Sequence, residues 1–224
     1  MKKVFSFMLT LLLMTCSAFA LSDESQEIIF RGIPWGVSIP EFLEQVSEDI
    51  KFDDFEEEYA NDLRKYIYGS EILNFNEKVQ RIGYAESNWE YKLDLQVAGY
   101  AVDCIEAIFA MKPDEEGLPT HDDEHTALVA ANYWLDVDDA PAAFADLTEK
   151  LTGLYGEPAP FDSVPYKVYL VWRGENDTFV SLNLSYASVY INYVDLKGND
   201  LFKIAEESIV SAKKAGTPTS TDGL

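Results

Sequence analysis

The chain has 224 residues, 47% of them hydrophobic, and sets 40 Asp and Glu against 17 Lys and Arg, a formal net charge of −23. A nucleic-acid binder needs Lys and Arg to neutralise phosphates, so this balance excludes a nucleic-acid partner and opposes adhesion to anionic lipid. The two cysteines are Cys16 and Cys104, and the first lies in a removable leader, so the fold has to hold by its core rather than by a disulfide.

Residues 1–20, MKKVFSFMLTLLLMTCSAFA, read as a secretory signal: Lys2 and Lys3 lead, an apolar run covers 4–14, and Ala18-Phe19-Ala20 supplies the small-x-small cleavage site. The run is shorter than the roughly 20 residues that a membrane helix needs, and no later segment reaches that length. The expected location is secreted or periplasmic, with cleavage near Ala20. Met14 and Thr15 suit a lipoprotein box poorly, which argues against a lipid anchor at Cys16.

A first unit is expected over 21–112. EIIF at 27–30 reads as a strand, and Pro34 and Gly36 then fit positions two and four of a type I turn that carries Trp35. Trp35 is expected to plug the junction of strand and helix, with Phe42 and Tyr84 as neighbours. Ser38 and Glu41 fit a capping box and Val37 and Phe42 a hydrophobic staple, ahead of a stripe of Phe42, Leu43 and Val46. A second helix is predicted over 54–67, because Phe55, Tyr59, Leu63 and Tyr66 recur at helical spacing and DDFEEE places acids at its positive end; Gly69 would stop it. Strands are predicted at 78–85, at 91–97, where Tyr91, Leu93, Leu95 and Val97 share a face, and at 102–111.

An acidic linker loop, 113–125, leads to a second unit over 126–198. It begins with a strand at 126–137 and continues with a helix capped at Asp139 whose apolar face is Phe144, Leu147, Leu151 and Leu154; Gly156 and Pro158 end that helix. YKVYLVW, TFVSLNLSY and SVYINYV follow as three strands, with GEND as a hairpin turn between the first two. A helix over 199–214 carrying Leu201, Ile204, Ala205 and Ile209, then a disordered tail over 215–224, complete the chain. The fold class is α+β: an antiparallel sheet packed against helices on one face and partly open on the other, built as two β-α-β-β-β repeats.

FRGIPWGVSIPEFLEQV, VAGYAVDCIEAIFAM and FADLTEKLTGLYGEP, together with a Trp-bearing strand, resemble a set of uncharacterised bacterial secreted and lipoprotein domains. The element order is also similar to the layout of the β-lactamase-inhibitor protein and of SmpA/OmlA-type domains. The resemblance spans most of 27–194 and implies a non-enzymatic domain outside the cytoplasm that binds a protein or cell-envelope partner. It carries over no catalytic residue. One departure stands out, since the inhibitor is held by disulfides and Cys104 has no partner here.

Candidate chemistry is sparse. His121 and His125 in HDDEH have a spacing that could hold zinc on a helix, but the segment lies between Pro119 and a predicted strand, where a solvated loop is the better reading. DVDDA at 136–140 lacks the glycine and glutamate of a calcium loop and serves instead as a helix cap. Cys104 sits in an apolar strand as packing material, and no nucleophile elbow is present. The better lead is the outward face of the C-terminal strands, which mixes aromatics with amides: Tyr169, Arg173, Phe179, Asn183, Tyr190 and Asn192. The expected function is a non-catalytic binding module using that face, with no cofactor. The alternative is a secreted hydrolase or metal-dependent enzyme using the acid-rich loops.

Overall fold

The computed structural model describes residues 27–48, 50–61, 63, 74–88, 91–159 and 167–216. In chain order these form α1 (Ile39–Gln45), β1 (Glu56–Asn61), β2 (Asn74–Glu86), β3 (Gln96–Val97), β4 (Tyr100–Met111), a 3-10 turn (Asp123–His125) and β5 (Thr126–Asp136). Then come α2 (Ala140–Tyr155), β6 (Lys167–Arg173), β7 (Thr178–Ser185), β8 (Ser188–Asp195) and α3 (Leu196–Gly216). The predicted leader, the lipid-anchor position and the tail beyond 216 lie outside the described residues.

The strands form one antiparallel sheet in the order β1-β2-β4-β5-β8-β7-β6, with the short β3 paired to β4. After β5, α2 carries the chain to the far edge, and β6, β7 and β8 return strand by strand until β8 lies beside β5. Alternation fixes which residues face which side. One face takes α1, α2 and the segment before α1, around Phe42, Phe109, Leu128, Leu147, Trp172 and Ile191. The other takes α3 through Phe202 and Ala205, over Ile108, Val129, Phe179 and Val194.

Local signals worked where they were local. Ser38 N donates to Glu41 Oε2 at 2.8 Å and Ser38 Oγ accepts from Glu41 N, so the predicted capping box starts α1. Asp139 Oδ1 accepts from Ala142 N at 3.1 Å to start α2, and Gly156, at φ +80°, closes it in a conformation that suits glycine. The buried Trp172 donates its indole N–H to that glycine's carbonyl at 2.9 Å, tying the end of α2 to β6. Asn176 and Asp177, at φ +57° and +59°, make the tight turn predicted at GEND. Trp35 is half-buried against the α1 side and donates to Ile28 O at 2.8 Å, whereas Tyr84 lies on the opposite face of the sheet.

Several expectations are corrected. The segment predicted as a helix over 54–67 contains β1, an edge strand whose Glu56, Glu57 and Glu58 pair with Ile82, Arg81 and Gln80 of β2. Its acids guard a sheet edge, where charge discourages pairing with another chain. EIIF forms no strand; Glu27 and Phe30 make single bridges, to Glu175 and Ile33, while Ile28 and Phe30 are buried. Of 91–97 only β3 is laddered, although Tyr91, Leu93, Leu95 and Val97 do all turn toward the core. On α2 Leu154 is exposed, and on α1 Leu43 is exposed. The last helix begins at Leu196, three residues earlier than expected, and buries Phe202 rather than Ile204. It also packs on the face predicted to be open.

Candidate functional site

Strand register arranges the α3 side of the sheet in rows. The first, Ile82–Ile108–Ala130–Val194–Phe179–Arg173, is apolar until its last member and underlies α3. The second, Tyr84–Glu106–Asn132–Asn192–Ser181–Val171, crosses six strands and is polar over most of its length. The third, Glu86–Cys104–Trp134–Tyr190–Asn183–Tyr169, is rich in aromatics. None of the described helices packs over the outer two rows at Trp134 and Tyr84, which are 39% and 38% exposed.

The six residues singled out from sequence share this face but not one surface. Arg173 and Phe179 belong to the first row, the guanidinium 5.4 Å from the ring centroid, and Phe179 is buried beside α3. Asn192 is buried in the second row. Tyr169 and Asn183 are buried in the third, where Tyr190 is half-exposed. Tyr169 hydrogen-bonds Tyr190, and burial first, then that neighbour, pushes the Tyr190 phenol up to about 12. The predicted open face is therefore mostly closed in its C-terminal half: α3 covers one end and the Tyr169–Tyr190 pair spans Asn183.

What the sequence reading missed is the neighbouring half, supplied by β2, β4 and β5. Trp134 stacks on Tyr190 with ring centroids 4.8 Å apart. Tyr84 Oη donates to Glu106 Oε1 at 3.3 Å, and Asn132 Nδ2 donates to Glu106 Oε2. Burial, then Glu106, raises the Tyr84 phenol well above its ordinary value. Further along, the Nδ2 groups of Asn192 and Asn183 donate to Ser181 Oγ at 3.0 and 3.1 Å. The signal was the alternation Asn132, Trp134, Asp136 in β5, which sets a polar and aromatic face against Ala131, Tyr133 and Leu135.

This arrangement offers recognition chemistry rather than a nucleophile. The Cys104 thiol is pushed up to about 12 by burial and then by Glu86 and Glu106, so it stays protonated at neutral pH. The two histidines lie elsewhere and go to different carboxylates: His121 Nδ1 to Glu57 Oε1 at 2.7 Å, His125 Nδ1 to Asp122 Oδ2 at 3.2 Å. His121 also lines a cleft of about 550 Å³, between β1, β2, the 114–121 loop and Ile209 of α3. Among the described residues, no group of three or more His, Cys, Asp or Glu has the geometry to hold a metal ion. No helix there is long and apolar enough to cross a membrane.

No protein-family model matches the sequence, and no curated protein or solved structure is significantly similar to it.

Proposed function

We propose that the chain is a non-catalytic binding module that works outside the cytoplasm and recognises a protein or cell-envelope component. The observation that carries this reading is the stacked, partly exposed Trp134–Tyr190 pair, with the exposed Tyr84 two strands away on the same side, on the part of the sheet that α3 leaves uncovered. Rigid aromatics held on a sheet give contact area at low entropic cost, and the exposed Glu86 and half-buried Glu106 add charge beside them. The secretory signal expected at 1–20 and the resemblance of the motifs to uncharacterised bacterial secreted and lipoprotein domains support the location.

Because Tyr169 is buried, its truncation would disturb packing. The informative variant is Trp134→Ala/Tyr84→Ala, tested by capture of partners from envelope fractions and by thermal melting. The expected result is loss of the partners retained by the wild type, with a stability cost of only about 1–2 kcal/mol, since both side chains are partly exposed. The same partners captured at the same level would overturn the reading.

A further inference from the structure

The second and third rows together contain two glutamates, Glu106 and Glu86, and no Lys, Arg or His. Of their donors, the Tyr84 hydroxyl and the Asn132 amide go to Glu106, the Cys104 thiol to Glu86, and the Asn192 and Asn183 amides to Ser181. The Oδ1 atoms of Asn132, Asn183 and Asn192 are buried and have no hydrogen-bond partner. For Asn132 the assignment follows from chemistry, because its amide nitrogen faces a carboxylate and its oxygen must be the other atom. Buried polar atoms are nearly always satisfied, so Asn132 Oδ1, two residues from the exposed Trp134, calls for a donor that the described residues do not supply.

We propose that the Tyr84–Glu106–Asn132–Trp134 corner takes an arginine side chain from a basic segment of a partner protein. A guanidinium is all donor, carries the charge that Glu106 and Glu86 complement, and stacks on an aromatic face such as the exposed Trp134. The chain's net charge of −23 attracts such a segment over distance. This inference rests on the binding-module reading and gives the partner its chemistry.

The test is calorimetric titration with tetra-arginine amide and with tetra-citrulline amide, its neutral counterpart of nearly the same shape. The wild type is expected to bind the first at least about tenfold more tightly than the second. Glu106→Gln, Glu86→Gln and Trp134→Ala should each weaken tetra-arginine by about threefold to tenfold. Glu149→Gln, on α2 across the sheet, removes the same charge and should change binding by less than about twofold. Glu86 is exposed, so that variant reports even if Glu106→Gln destabilises the fold. Equal losses at Glu149 and Glu106 would reduce the effect to net charge and overturn the proposal, as would equal binding of the two peptides or none of either. Partner capture lost in Trp134→Ala/Tyr84→Ala while tetra-arginine ignores the corner would overturn this inference alone.

Discussion

Trp172 shows how much one side chain can hold. It is fully buried, and its indole N–H is the hydrogen-bond donor to the carbonyl of Gly156, the residue that caps α2. Trp172→Phe keeps an aromatic ring but leaves that carbonyl short of its donor and a gap where the larger ring stood. The two losses add to about 2–4 kcal/mol, read as a drop in the urea midpoint with an unchanged slope. A second residue-scale prediction concerns Asp195, whose carboxylate accepts from Lys197 N and Gly198 N at the start of α3. Burial raises its pKa despite those two bonds, so the fold disfavours the ionised form. A carboxyl raised in this way contributes stability that is complete below its unfolded pKa and is lost as pH rises through the folded one. Asp195→Asn retains a capping oxygen without the charge. Its melting temperature should therefore gain on the wild type as pH rises above about 4, and a gap that stays constant with pH would contradict the assignment.

At the scale of elements, the segment around Phe55 explains both a success and a failure of sequence reading. Phe55, Tyr59 and Leu63 recur at helical spacing, yet the ring of Phe55 lies over Gly83 of β2, 5.4 Å from the Phe109 ring. A methyl group on residue 83 would come within 2.3 Å of that ring. The information that made 56–61 a strand thus sits in a glycine on the next strand, beyond the reach of any local window. Capping at Ser38 and Asp139 needed only three or four residues, and those starts were legible. So was the alternation of the C-terminal meander, because its contiguous strands each have one face in the core. α3 was legible as a helix but not in its docking side, since nothing within the helix says that Phe202 meets the sheet and Ile204 the solvent. Gly83→Ala should cost about 1–3 kcal/mol by overpacking. The double variant with Phe55→Ala should cost less than the sum of the singles, because the clash disappears with the ring. Strict additivity in a denaturation cycle would show that the two positions do not meet in solution.

For the whole molecule, the same separation of scales decided what could be seen of the candidate site. Composition argued against nucleic acid, and the six residues picked from the sequence do lie on one side of the sheet, in β6, β7 and β8. The exposed part of that side begins one strand further on, however, because the position of α3 and the Tyr169–Tyr190 contact are fixed only once the sheet is assembled. Net charge acts at this scale too, and its sign can be tested. Exposed ion pairs such as Lys150–Asp146 at 2.7 Å and Lys203–Asp200 at 3.6 Å stabilise by at most about 1 kcal/mol each and weaken with salt. Against them stands a surplus of acid, −23 over the whole chain, whose mutual repulsion destabilises the compact state. Screening shortens the range of both, from about 30 Å at 0.01 M to about 10 Å at 0.1 M. The repulsive pairs are far more numerous and act over longer distances than the few attractive contacts, so screening should relieve more than it costs. The melting temperature at neutral pH is expected to rise by several degrees as sodium chloride goes from about 0.01 M to about 0.3 M, with most of the gain below about 0.1 M. A fall over that range in differential scanning calorimetry would mean that the local pairs outweigh the surplus, and that the acids are placed to meet cations within the fold.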